Sequence, residues 1–341
     1  MKTAAGNPAA DTRSANWREV IARYNSPDPW KSIWQLASSL ALYAILFYAM
    51  YRSLALSWWL TLALSVPTAG LMVRIFIVFH DCGHGSFFKS RRTCDAVGVV
   101  LGVLTFTPYF KWTHEHAVHH ATVGDLDRRG EGDVWTMTVE EYRKSPRWKR
   151  AIYRVYRSPF FLFGVGSFLL FVAMNRFDTR LKSRQDMVSV YGTDLALAGL
   201  ATGLSMLMGV RQYFMVQVPI LFFAAAAGVW LFYVQHQFDG VVWSRHGEWD
   251  YRTVALRGSS FYRLPKVLQW FSGNIGYHHA HHLSPRIPNY KLPACSTEDA
   301  LSREAKVVSL KSSMRSLFLR LWDEKSGRMV GFRKLAGGTG R

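Results

Sequence analysis

Four stretches of this chain are apolar for about the thickness of a bilayer, and they limit the fold more than any other feature. They run over 33–50, 54–79, 193–210 and 213–234. The link Tyr51-Arg52-Ser53 makes the first two a hairpin, and Arg211-Gln212 makes the last two a second. Trp58 and Trp59 suit an interfacial belt. Pro67 and Gly70 are breaks that a membrane helix tolerates. Arg74 is read as snorkelling to the interface. Two further apolar stretches, 96–110 and 160–171, are short for a span.

Charge supplies the topology. The formal net charge is +19, with Lys and Arg gathered in loops at 89–92, 143–157 and 176–184 and in the C-terminal region, while each hairpin tip carries one Arg. This is the positive-inside pattern, so the charge is assigned to the membrane rather than to nucleic acid. If 96–110 or 160–171 crossed fully, the basic loops would alternate sides. Both are therefore read as interfacial or re-entrant helices. The expected fold is an all-α integral membrane protein: four transmembrane helices in two hairpins, interfacial helices, and a histidine-rich cytoplasmic cap at 80–192 and 235–341. A polar segment, 1–30, precedes the single membrane domain, 31–341, and has no signal-peptide core. Cys82, Cys94 and Cys295 form no CxxC and suggest no disulfide framework.

Ten of the twelve histidines fall into three groups: His80 and His84; His114, His116, His119 and His120; and His278, His279, His281 and His282. Residues three or four apart share a helix face. His80 therefore projects with His84, His116 with His119 and His120, and His278 with His281 and His282. All three groups fall on one expected side of the membrane. Eight imidazoles exceed what one ion takes and suit two. Imidazole accepts several transition metals, but zinc prefers four ligands and has no redox chemistry, so the set points to iron. His236, at the end of the fourth span, is read as a ninth ligand. His114 and His246 are read as ordinary, and His279 as at most a supporting contact.

These stretches resemble the membrane fatty acid desaturases, and most of all the bacterial acyl-lipid branch. The resemblance is carried by His80-Asp81-Cys82-Gly83-His84-Gly85-Ser86-Phe87-Phe88, by the second group followed by Ala121-Thr122, by Gly124-Asp125-Leu126-Asp127-Arg128-Arg129-Gly130, and by Asn274-Ile275-Gly276-Tyr277 leading through the third group into Leu283-Ser284-Pro285-Arg286-Ile287-Pro288-Asn289-Tyr290. It implies two non-haem iron ions held by the eight grouped histidines and by His236. It also implies O2 as oxidant, two electrons from outside, and a cis double bond as product. Animal acyl-CoA members of the family place an Asn one helical turn before the ninth histidine; here that residue is Phe232. The substrate implied is a membrane-lipid acyl chain, and the location a bacterial inner membrane with the site facing the cytoplasm.

Asp81, Glu115, Asp125, Asp127 and Asn274 are candidates to orient ligand imidazoles by accepting their free N–H. Asp125 and Asp127 also suit turn or cap duty. No CxxCH or cysteine cluster supplies a fused redox group. Electrons are therefore expected from a separate ferredoxin or flavodoxin drawn to the basic face. The histidine groups alone leave a hydroxylase or ketolase open. A metal transporter or sensor is disfavoured because the groups flank the spans.

Overall fold

The computed structural model describes residues 17–130, 132–177, 183–298 and 304–336. Residues 1–16 of the polar N-terminal segment and part of the basic stretch 176–184 lie outside them. Helix α1 occupies residues 17–24, α2 Pro29–Ser53, α3 Trp58–His84, α4 Arg91–Leu104, α5 Tyr109–Thr122, α6 Val139–Lys144, α7 Arg147–Tyr156, α8 Phe161–Met174, α9 Arg184–Met208, α10 Val210–His236, α11 Tyr251–Arg257, α12 Lys266–Phe271 and α13 His278–Leu283.

Among the described residues, α2, α3, α9 and α10 are long and apolar enough to cross a membrane. Local chemistry sets their ends. The Asp28 carboxylate accepts the N–H groups of Trp30 and Lys31 to start α2, with Pro29 at its first position. Gly85, at φ 66°, stops α3 directly after His84, and Ser86 N–H closes back on the Asp81 carbonyl. The hairpin links differ from expectation. The first lies at 54–57, and the second is Gly209 at φ 92°. Helix α9 also starts nine residues before 193, because a hydropathy reading registers the hydrocarbon-facing part and misses the polar turns continuing beyond it.

The two short apolar stretches belong to bent pairs. Helices α4 and α5 meet at 102°, and α7 and α8 at 60°. If each pair were one span, the count of candidate spans would rise to six. Pro108 starts α5, so the break falls six residues before the second histidine group begins.

Helices α3 and α10 pack at the centre of the bundle, α2 against α3 and α9 against α10. Met50, Ala69, Met72, Val73, Val216, Ile220, Leu221 and Ala224 form the shared core. Ile45, Leu195 and Leu207 stand exposed on the outer helices, where lipid would cover them.

The chain is mostly helical, but the cap carries strands that an all-α reading lacks. β1 (Met137–Thr138) pairs parallel with β4 (Leu321–Asp323), which pairs antiparallel with β5 (Arg328–Val330). β2 (Ser260–Arg263) pairs parallel with β3 (Lys306–Ser309). Strands of two to four residues are too short for alternation to register in sequence. The N-terminal segment is also less separate than expected. Val20 and Ile21 of α1 are buried against Leu256, Ala280, Leu283, Ile287 and Leu292, behind the third histidine group.

Arg157, buried at the end of α7, locks the cap to α10. Its guanidinium donates to the Trp135 and Leu319 carbonyls, Thr136 Oγ1, Tyr233 OH and Gln237 Oε1. Tyr233 and Gln237 bracket His236. A stranded buried partner costs about 1–3 kcal/mol, so Arg157→Ala is expected to cost roughly 3 kcal/mol or more. Thermal unfolding in detergent should show a melting temperature lower by several degrees. An unchanged value would contradict this account of the cap.

Candidate metal centre

Nine of the twelve histidines converge at one end of the bundle, where α3, α5, α10 and α13 meet. They form two groups. Ring nitrogens of His80, His84, His116, His120 and His281 lie within 4.8 Å of one another, as do those of His119, His236 and His282. His278 joins the second group, its Nε2 lying 2.9 Å from His236 Nε2 and 3.0 Å from His282 Nε2. The groups abut: the His120 and His282 rings stack with centroids 4.1 Å apart.

The helix turn explains the division. Neighbouring positions on an α-helix differ by about 100°, so His119 and His120 of α5 face different groups. On α13, His281 turns to the first group while His278 and His282 share the second. The shared points expected for His116 with His119, and for His278 with His281, are thus split. Each of these helices supplies both groups and fixes their separation. His236 enters the second group from α10, with Nε2 3.2 Å from His119 Nε2.

His80, His119, His120, His236, His278, His281 and His282 are buried. Burial, reinforced by neighbouring imidazoles, holds His278, His281 and His282 well below the usual imidazole range. They are therefore neutral, the form that binds a metal. Several Nε2 atoms sit 2.9–3.2 Å from one another with no acidic group between them. Among the described residues His84 Nε2 is buried with no hydrogen-bond partner. Converging neutral nitrogens with unfilled lone pairs are the donor set of transition-metal ions, and two groups fit two ions.

Two carboxylates hold ligand-type rings from behind. Asp81 Oδ1 lies 3.2 Å from His80 Nδ1, while its Oδ2 accepts Asn289 N–H at 2.7 Å and Asn289 Nδ2 at 2.9 Å. Gln35 Nε2 donates to Asn289 Oδ1, extending this network to α2. Asp133 Oδ1 lies 2.6 Å from His119 Nδ1. Asp133 was not anticipated in the sequence. It reaches His119 because Gly132, at φ 71°, lets the loop touch α5; a Cβ there would lie 3.0 Å from the Glu115 carbonyl oxygen. The pair Gly130 and Gly132 ahead of Asp133 was the available signal.

The other proposed orienting groups act elsewhere. Asp127 is half exposed and binds Arg245 and the His246 N–H. Asp125 accepts from Arg128, His246 and the Asp127 N–H, and Glu115 pairs with Lys111. Asn274 takes φ 61° in the turn before the third group, a backbone role. Among the remaining histidines, His114 is exposed, His246 pairs with Asp125, and His279 is buried beside Ser296 Oγ. Phe232, at the position of the family's Asn, places its ring 5.0 Å from that of His119 and 5.2 Å from that of His236, an apolar wall.

Comparison with known proteins agrees with this geometry. The fatty acid desaturase family profile matches residues 56–308. A fatty acid desaturase of Bacillus subtilis is 44% identical over 92% of this chain and 90% of its own length. An sn-1 oleoyl-lipid 12-desaturase of Synechocystis is 25% identical over 77% of this chain and 73% of its own length. An sn-1 acyl-lipid omega-3 desaturase (ferredoxin) of the same organism is 26% identical over 72% and 68%. This chain belongs to the fatty acid desaturase family. It is an oxidoreductase with a histidine-rich two-metal site of the kind found in membrane desaturases.

Proposed function

We propose that the chain desaturates acyl chains of membrane lipids at two non-haem iron ions. His80, His84, His116, His120 and His281 would hold one, and His119, His236, His278 and His282 the other. The two abutting histidine groups carry this reading. An unactivated methylene needs an oxidant that side chains cannot supply, and iron with O2 supplies it. The balance is two hydrogens from adjacent methylenes, O2, two electrons and two protons, giving one cis double bond and two waters.

The chain's own residues prepare the site. Asp81 and Asp133 fix the orientation of the His80 and His119 rings. Trp112 stacks on His116 with centroids 4.3 Å apart, and Phe232 covers His119 and His236. Both rings keep water from the side of the centre they cover. The helices carrying the histidines run directly out of apolar spans, which suits a substrate drawn from the bilayer. The names of the Synechocystis relatives support a lipid-linked chain as substrate.

We assign the centre to the cytoplasmic side of a bacterial inner membrane, an orientation that the basic loops support. The electron donor we assign is an acidic ferredoxin or flavodoxin, and one relative's name includes ferredoxin. An open groove of about 590 Å³, lined among others by Arg129, Lys144, Lys149 and Trp243, has Asp133 in its wall. One hydrogen bond links Asp133 to His119. Residues 143–150 beside it hold five basic residues and no acidic one. The double change Lys144→Glu and Lys149→Glu is expected to raise the KM for the donor several-fold and to flatten its salt dependence, with iron content unchanged. Unchanged donor kinetics would overturn this docking site.

Lipid analysis of a host that lacks the activity tests the reaction itself. Products two hydrogens lighter are expected. A gained oxygen would mark a hydroxylase and contradict the reading.

A further inference from the structure

The segment between β2 and the third histidine group, assigned from sequence to the cytoplasmic cap, does not stay level with the histidines. It descends along α3. Phe271 packs so closely on Gly70 that a Cβ there would lie 2.7 Å from its ring. Gly70 is ten residues before His80, or about 15 Å down the helix axis. Gly273, at φ 53°, packs on Ile77, about 10 Å higher on the same axis, so the Phe271 ring reaches down to Gly70 from a backbone that is already turning back toward the cap. The turn through Gly273 and Asn274, both in the left-handed region, makes that return possible. Gln235 Nε2 then binds the Ile275 carbonyl, tying the rising arm to α10.

Arg74 holds the lowest part of this loop. It is buried and does not snorkel: its Nη1 donates to the Trp270 carbonyl at the end of α12, its Nε donates to Ser39 Oγ, and its guanidinium lies 4.2 Å from the Trp270 ring centroid. A guanidinium inside an apolar span is costly unless its donors are satisfied. Here a helix-end carbonyl, which also accepts the Gly273 N–H, provides the match. The outer face of the same turn is apolar and open: Val267 is 66% exposed, Leu268 43% and Trp270 39%. Arg263 and Lys266 stand exposed where the loop begins its descent.

We propose that residues 266–273 form a re-entrant element that dips into the hydrocarbon layer, presents Val267, Leu268 and Trp270 to lipid acyl chains, and is held at depth by Arg74. Lipid is the occupant because α12 packs on α3, a span by length and composition, while its opposite, apolar face is left uncovered. Arg263 and Lys266 then lie at headgroup level, as basic residues flanking a membrane segment do. The element rejoins the cap a few residues before His278, so it ties the third histidine group to a bilayer depth.

The test uses the full chain in phosphatidylcholine/phosphatidylglycerol vesicles that contain dibrominated phosphatidylcholine. The native cysteines are buried, so a bimane label can be directed to Val267→Cys or Leu268→Cys. Leu195→Cys, on the exposed face of α9, is the lipid-facing reference, and Lys325→Cys, exposed in the cap, is the aqueous one. Both new labels are expected to lose most of their fluorescence, as Leu195→Cys does. Fluorescence retained as in Lys325→Cys would overturn the proposal. Adding Arg74→Ala, or independently Gly70→Leu to displace Phe271, should return the Val267→Cys signal toward the aqueous reference. Full quenching in both combinations would remove Arg74 and the Gly70 contact from the account.

Discussion

His281→Ala is expected to bring desaturation below detection and to lower bound iron from two ions per chain to about one. The His281 Nε2 lies 3.1 Å from that of His120, and its ring centroid is 4.5 Å from that of His80 and 4.9 Å from that of His84. Removing it leaves four imidazoles around one ion and a gap at the centre of the first group. His119→Ala should have an equally large effect through the second group, where its Nε2 faces His236 at 3.2 Å. His114→Ala is the control: that side chain is exposed and belongs to neither group. Product formation in lipid extracts and iron analysis of the purified variants check all three. Substantial activity in either ligand variant would refute its assignment.

Asp133→Ala is expected to cost about tenfold to a hundredfold in activity or iron affinity, the range for removing a carboxylate behind a metal-bound imidazole. The carboxylate is 15% exposed at its side chain and lies 2.6 Å from His119 Nδ1, so little water competes for the bond. It fixes the tautomer that leaves Nε2 free to bind. Asp133→Asn keeps an acceptor without the charge and should fall between wild type and Asp133→Ala. Asp127→Asn should leave iron affinity unchanged, because Asp127 reaches Arg245 and the His246 backbone rather than the centre. Iron titration of the three variants gives the ranking. An Asp127 variant worse than Asp133→Ala would reverse it.

That contrast shows where sequence reading stopped. Asp127 lies within the stretch that resembles the family, so proximity in sequence favoured it; the loop turns it to solvent. Asp133 sits 14 residues after His119 and meets it only because a left-handed glycine lets the loop close on α5. Spacing exposed the histidine groups, because ring positions three and four apart survive in any helix. It did not reveal that adjacent histidines serve different groups, which follows once α5 and α13 are placed facing each other. Apolar length identified the four long helices but misplaced their ends, where Gly209 and the 54–57 turn act through backbone geometry. Arg74 misled for a related reason. Its partner, the Trp270 carbonyl, is 196 residues away and belongs to a loop whose descent no local pattern announces.

Iron stoichiometry tests the central claim most directly. Protein purified after expression in iron-replete medium should contain two iron ions per chain, with His281→Ala and His119→Ala each losing about one and His114→Ala none. A single ion per chain, or two that persist in both ligand variants, would contradict a centre built from two abutting histidine groups.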